Sequence, residues 1–376
     1  MKVLMHCVYF PPEVGGLESH VYYLCKAMAE RGHRVDMVTS LSQPGLPKQE
    51  VMGGVNVWRT WMPSRNTPGW AAHALASMHR FATLAQHADV LHAQDIASVL
   101  PAMVAQRVRS APIVTTYHTS HFLKRAGSPF WRPVFKRFLE AADYNLAASG
   151  EIAGVGESIA PGTSIEPLTN GVDTGFFQNI EPTLPPLDEG RFRLIVPRRL
   201  FHKNGVEHFV RSMPLIAERA DVEAVLVGDG PERDRLERMA GELGVSDRLH
   251  FMGARPHGEM PGLLSSGDLA VFPSLMEATS VAALECMSCE LPVAATNVGG
   301  LPEIVSDAVG GLFEPADPNA LADKVVSLLQ SGRLKELGAE GRRRVVAGWS
   351  NARLAERHLE IYEEVIERRR AKGGQS

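Results

Sequence analysis

The sequence is poor in cysteine. Its 376 residues hold four, Cys7, Cys25, Cys286 and Cys289, two in each half. That is too few for a disulfide framework and points to a reducing, cytoplasmic compartment. Long apolar runs are missing too, and no stretch approaches the ~20 apolar residues of a membrane span. The opening "MKVLMHCVYFPPE" has one lysine and a short apolar run cut off by Pro-Pro, so it reads as a first buried strand, not a secretion signal. There is no excess of base. With 39 Lys+Arg against 43 Asp+Glu the formal charge is −4, which gives no reason to expect nucleic acid. The first strand–helix junction carries no G-x-G-x-x-G, and no D-x-D occurs anywhere. A dinucleotide fingerprint and a metal–diphosphate triad of that kind are therefore unsupported, and neither metal nor cofactor is expected.

What is present is an ordinary globular composition, 44% hydrophobic and 22% charged, in a chain long enough for two cores. "KVLMHCVYF", "HRVDMVTS", "DVLHAQ", "PIVTTYH" and "YNLAAS" read as strands in the first half. "FRLIVPRRL", "VEAVLVGDG", "RLHFMGA", "LAVFPS" and "LPVAATN" do so in the second. Between them lie amphipathic segments. In "HVYYLCKAMAERG", Val21, Leu24, Cys25 and Met28 follow helical spacing, with Gly32 placed to end the helix. Unalternating strands separated by helices predict α/β architecture with parallel sheets covered on both faces. The pattern occurs twice, around the Pro-rich acidic "IEPTLPPLDEG", expected as a linker. Two doubly wound Rossmann-like domains are expected, over 1–180 and 190–345, with a charged helix in 346–376 packing back toward the first. Ligands of such sheets lie outside the carboxyl ends of strands, which places a site in the cleft between two facing domains.

Several stretches sit at those strand ends. Gly15 and Gly16, in "PPEVGGLESH", would let backbone N–H groups approach an anion at a helix start; the plain alternative is a tight turn. Arg198, Arg199 and Lys203, in "VPRRLFHKNG", are cations suited to a diphosphate, or else a solvated charge cluster. His118 ends a strand, with His121 as an alternative. In "FPSLMEATSVAALECMSCE", Thr279 or Ser280 can cap a helix whose free N–H groups around Ser280–Ala282 carry partial positive charge. Glu277 precedes that helix and Glu285 lies in its second turn, on the order of 10 Å away at ~1.5 Å per residue. That spacing suits two ends of one elongated ligand, unless Glu285 simply pairs with a buried arginine. "CMSC" lacks a second ligand pair and reads as packing. The stretch 122–138 mixes aromatics with Lys124, Arg125, Arg132, Lys136 and Arg137. It could lie on an anionic membrane or be a helix with aromatics inward, and the second reading is preferred.

Together these motifs resemble the GT-B glycosyltransferases, specifically the retaining group called glycosyltransferase family four. The likeness runs from "YFPPEVGGLESHVYYLCKAMAERGHRVDMVT" through "LTNGVDTGFF" to "FPSLMEATSVAALECMSCELPVAATNVGGLPEIV", which holds the family's E-x7-E as Glu277 and Glu285. The resemblance implies a nucleotide-diphosphate sugar donor, a hydroxyl acceptor and a metal-independent retaining transfer. It assigns the ribose hydroxyls to Glu285 and the donor sugar to Glu277. Arg199 and Lys203 go to the diphosphate, the glycine turn to Gly15 and Gly16, and a donor contact to His118. Catalytic roles are thus expected of Glu277, His118, Arg199 and Lys203. Donor contacts are also expected of Arg198, Asn204, Ala278, Thr279, Ser280 and Val281. The usual lysine of G-R-L-x-x-x-K-G falls on Asn204, the usual E-G-F-G is E-A-T-S, and the usual glycine after the helix is Glu290. Nucleotide, sugar and acceptor are left open. A sugar-nucleotide-binding module without turnover, or a GT-B phosphorylase or epimerase, is the alternative.

Overall fold

The computed structural model describes residues 1–13, 15–118, 120–277 and 280–373. In chain order the first strands and helices are β1 (Lys2–His6), α1 (Gly16–Glu30), β2 (Arg34–Ser40), β3 (Gln49–Met52), β4 (Val55–Thr60), α2 (Thr67–Ala85), β5 (Val90–Gln94) and α3 (Ile96–Val108). β6 (Ile113–Tyr117), α4 (Ser120–Ala126), α5 (Trp131–Ala141), β7 (Tyr144–Ala147), α6 (Gly150–Ile159) and β8 (Ile165–Pro167) follow. Then come β9 (Phe192–Val196), α7 (Val206–Ala217), β10 (Val222–Val227), α8 (Arg233–Glu242), β11 (Leu249–Gly253), α9 (Met260–Leu264) and β12 (Leu269–Phe272). The last are α10 (Val281–Ser288), β13 (Val293–Thr296), α11 (Leu301–Ile304), β14 (Gly310–Phe313), α12 (Pro318–Gln330), α13 (Leu334–Gly348) and α14 (Asn351–Gly373).

The chain forms two compact units, Met1–Asn170 with Asn351–Ser376, and Gly171–Ser350. Unit 1 holds an eight-stranded sheet in the order β3-β4-β2-β1-β5-β6-β7-β8, parallel except for the β3–β4 hairpin. Unit 2 holds a six-stranded parallel sheet, β11-β10-β9-β12-β13-β14. Both are α/β sheets wound in two directions from a starting strand, so each has a switch point: between β1 and β5, and between β9 and β12. Helices cover both faces, so the central strands are buried without alternation: β5, β6 and β12 are buried at every residue, including the polar His92, Gln94, Thr115 and Thr116. Helix α1 buries Val21, Leu24, Cys25 and Met28 along one face. It stops at Gly32, whose φ of +81° only glycine adopts cheaply, and whose N–H donates to the Ala29 carbonyl.

Four strands were not foreseen. β3 and β4 alternate between inward and outward residues at a sheet edge, and β8 and β14 have three and four residues. The segment expected as a linker is packed along α9. The backbone N–H groups of Ile180, Thr183 and Leu184 donate to Ser265 and Ser266 hydroxyls at 3.0–3.1 Å. The unit boundary therefore falls at 170, before this segment. Helix α14 belongs to unit 1, where Ala355, Ile361, Tyr362 and Val365 join the core of β1, β2 and α1. All four cysteines are free and buried, Cys286 and Cys289 within the unit 2 core. Among the described residues no helix is long and apolar enough to cross a membrane.

Candidate active site

The unit 2 switch point is where its chemistry collects. Arg198, Arg199, Lys203 and Asn204 follow β9, and Ser274 to Glu277 follow β12. Close backbone approach locks these loops together. A Cβ on Gly205, which has φ +63°, would lie 1.9 Å from the Pro273 carbonyl oxygen, and one on Gly228 2.2 Å from that of Arg198. The Lys203 carbonyl accepts the N–H groups of Leu275 and Met276 at 2.9 and 3.2 Å. Gly299, with φ +53°, presses on the Glu277 carbonyl from the loop after β13.

On this frame Arg198 makes three hydrogen bonds from Nη2: to Asn204 Oδ1 at 3.0 Å, Ser274 Oγ at 2.9 Å and Glu277 Oε2 at 2.5 Å. Its guanidinium lies 5.5 Å over the Phe272 ring. Asn204 is buried, and its Nδ2 donates to the Arg199 carbonyl at 2.6 Å, so both ends of its amide are engaged within the loop. Arg199 is exposed and stacks over Phe201 at 5.7 Å; among the described residues its guanidinium has no hydrogen-bond or ion-pair partner. Lys203 is exposed as well.

Helix α10 begins after Ser280, whose hydroxyl accepts the Ala283 N–H at 3.4 Å. Val281 is its first residue, and Ala278 and Thr279 lie outside the described residues. Glu285 stands half-buried on α10. Burial pushes its carboxyl up to about 8, and among the described residues that carboxyl has neither hydrogen-bond nor ion-pair partner. Among the described residues it is not paired with a buried arginine, and Arg198 is committed to Glu277.

Gly15, Gly16 and His118 belong to unit 1. Gly15 is the N-cap of α1 in extended conformation, and a Cβ on it would lie 2.3 Å from Glu18 Oε2, so a carboxylate of the chain itself already sits over that helix start. His118 is buried, with Nε2 2.6 Å from Gln94 Oε1 and Nδ1 3.1 Å from the Asn170 side chain. Burial lowers its pKa to about 3, so the ring is neutral. A neutral imidazole has one donor and one acceptor, so one of the two amides presents its NH2 group. His121 is in α4, and its side chain lies outside the described residues.

Arg198 was expected only as one more cation for the donor, not as the partner of Glu277, and Ser274, Phe272, Gly228 and Gly299 received no role from the sequence. The one available signal was a glycine after a strand, in "LVGDG" and "NVGG", which marks backbone packed against backbone. In the loop after β9 and just beyond it, His202, Glu207 and Glu232 have metal-ligand atoms within 4.8 Å of one another. Arg235 pairs with both glutamates and already supplies the cation.

Comparison with known proteins agrees with this architecture. Residues 14–176 match the model described as Glycosyltransferase Family 4, and residues 179–344 that described as Glycosyl transferases group 1. A phosphatidylinositol N-acetylglucosaminyltransferase subunit from Arabidopsis thaliana is 26% identical over 97% of this chain and 82% of its own. N-acetyl-alpha-D-glucosaminyl L-malate synthase of Bacillus anthracis is 26% identical over 94% of this chain and 95% of its own. Among solved structures, sucrose-phosphate synthase from Thermosynechococcus elongatus superposes with a TM-score of 0.81 at 23% identity, covering 97% of this chain and 99% of that one. Anabaena HepE in complex with UDP and glucose gives 0.76 at 19%, covering 97% and 100%, so these structures share the fold. The two family models together span nearly the whole chain, and the protein is a glycosyltransferase of family four with the GT-B fold.

Proposed function

We propose that the chain transfers a sugar, with retention and without a metal, from a nucleotide-diphosphate sugar to an acceptor hydroxyl. The observation that carries this reading is Glu285, a half-buried carboxyl on α10 with no partner among the described residues. Such a group is costly to keep in the apo protein and is repaid by a ligand that donates two hydrogen bonds, as a ribose diol does. Arg199, Lys203 and the free N–H groups at the start of α10 face the diphosphate, and Glu277 faces the transferred sugar. As the anomeric carbon–oxygen bond breaks, its electron pair goes to the diphosphate, whose growing charge these donors stabilise. The acceptor oxygen bonds to the same face of that carbon and its proton leaves with the nucleotide. Unit 1, which carries His118, Gly15 and Gly16, is assigned to the acceptor.

The names of the two relatives favour N-acetylglucosaminyl transfer, and the HepE complex contains UDP, so UDP-N-acetylglucosamine is the first donor to test. A thermal-shift screen of UDP-, GDP- and ADP-sugars decides it. A ligand at 100 times its Kd adds about 2.7 kcal/mol of stability. Tight binding with neither hydrolysis nor transfer on long incubation would favour a binding module instead.

A cytoplasmic protein peripheral to the inner face of the membrane is the companion reading, and 122–138 is its motive. Phe122 and Phe135 are buried, whereas Lys124, Arg132, Lys136 and Arg137 point outward and Phe130 is 73% exposed. Flotation with anionic liposomes at low salt, lost when Lys124, Arg137 and Phe130 are changed to Glu, Glu and Ser, supports it. Absence of flotation makes a soluble acceptor the better reading.

A further inference from the structure

The Arg198 side chain is 10% exposed and that of Glu277 16%, yet neither is fully satisfied. Arg198 Nε is buried with no hydrogen-bond partner, and Glu277 Oε1 has none among the described residues, Oε2 alone being held. The guanidinium is fixed from several sides, by Phe272 beneath it, Ser274 and Asn204 beside it, and Gly228 packed on its backbone. It ties the loop after β9 to the loop after β12, the two loops that make the switch point. Asn204, a loop position facing this centre, offers only an amide oxygen 3.0 Å from the guanidinium. A lysine stem at 204 is longer and would bring its ammonium to the place the guanidinium occupies.

We propose that Arg198 is the positioning residue of the donor site: it grips one oxygen of Glu277, leaves the other for a hydroxyl of the donor sugar, and supplies from the strand end the positive charge that Asn204 does not. This rests on the donor site proposed above. Arg198 acts through Glu277 on the transferred sugar, so its loss depresses turnover more than it weakens binding of a bare nucleotide. Asn204 serves Arg198 and not the donor. The charge can come from either position, because both side chains converge on one point.

The test compares wild type, Arg198→Met, Asn204→Lys and the double variant, with UDP-N-acetylglucosamine hydrolysis and UDP calorimetry as readouts. Arg198→Met keeps the apolar stem over Phe272 and removes the charge. It is expected to lower kcat about a hundredfold, the scale of a misplaced reacting group, while KM and the Kd for UDP change less than about threefold. Asn204→Lys alone crowds two cations and gains nothing; in the Arg198→Met background it is expected to restore kcat at least about tenfold. An unchanged kcat in Arg198→Met, or no recovery in the folded double variant, overturns the proposal. Should Arg198→Met fail to fold, Arg198→Lys keeps the charge and loses the fork. A folded Arg198→Lys with wild-type kcat overturns the proposal equally, and a tenfold drop at unchanged UDP affinity supports it. If wild type hydrolyses a GDP- or ADP-sugar instead, the same four proteins are compared on that donor. A wild type that binds and hydrolyses none of them overturns the donor site itself, and this proposal with it.

Discussion

The hydroxyl of Tyr362 on α14 meets Nδ1 of His92 on β5 at 2.5 Å, across 270 residues of sequence. His92 Nε2 lies 2.7 Å from Thr116 Oγ1, so both ring nitrogens are engaged in the middle of unit 1. The last helix is therefore part of that unit's core, held at its flanks by Arg357 with Glu166 and by Arg369 with Asp143. Tyr362→Phe strands a buried imidazole nitrogen. It is expected to cost about 1–3 kcal/mol in urea unfolding. A change within error would mean that α14 is held by its apolar face alone.

Six buried histidines make unit 1 sensitive to acid. Burial pushes His6, His20 and His92 well below the ordinary value of 6.5, His73 and His358 to about 4, and His118 to about 3. The folded state keeps them neutral and the unfolded state protonates them below pH 6.5. Their stability contribution is complete above 6.5 and is lost as pH falls toward 4. Each such group costs about 1.4 kcal/mol per pH unit in that window. Denaturant midpoints should fall steeply between pH 7.5 and 5.5, with unit 1 unfolding first. A flat profile over that range would show the histidines to be hydrated.

Nucleotide binding should release a proton. With its carboxyl raised to about 8, Glu285 is mostly protonated at neutral pH, whereas a ribose diol that donates to it needs the carboxylate. Affinity for UDP is thus expected to rise from pH 6.5 to 8.5, and calorimetry in buffers of different ionisation heat should show close to one proton released. Glu285→Gln is expected to abolish that release and weaken UDP binding about ten- to hundredfold. The raised carboxyl favours the folded state least at high pH: its unfavourable contribution grows as pH rises from 4.5 through 8. Glu285→Gln should therefore stabilise the free protein most at pH 8.5. Equal UDP affinity in both proteins would remove Glu285 from the site.

Glu277→Gln should behave differently. It faces the transferred sugar in our reading, so UDP affinity should stay within about threefold while turnover of the sugar nucleotide falls. Parallel losses of UDP affinity in the two variants would defeat the two-ended arrangement.

Glu290 follows α10 with φ +61°, in the left-handed region that favours glycine. Its side chain gains little there, a 3.4 Å contact from Asn179 and an Arg342 nitrogen 4.0 Å away at the surface. Glu290→Gly is expected to stabilise unit 2 by up to about 1 kcal/mol. The opposite holds for Gly338, where a Cβ would come within 1.9 Å of the Glu290 carbonyl oxygen, so Gly338→Ala should destabilise clearly. Thermal unfolding of both variants checks the pair.

Much of this molecule was written locally. Period and punctuation alone marked α1 with its stop at Gly32, ten of the strands including β1, the doubling of the α/β pattern, and a helix opening at Thr279 or Ser280 between two glutamates. Such signals need only neighbours within a few turns. Other features depend on residues far apart in sequence. Edge strand β3 is largely exposed, its neighbour β4 alternates buried and half-buried residues with no continuous apolar run, and β14 is four residues defined by its partner β13. The home of α14 in unit 1 rests on Tyr362 and His92, and the grip on Glu277 rests on Arg198, 79 residues upstream. Sequence could place cations near a strand end, but not say that one is spent on a carboxylate while Arg199 is left exposed. Parallel pairing and burial of both sheet faces decide that, because they bring loops from separate strands to one edge before any side chain has a partner.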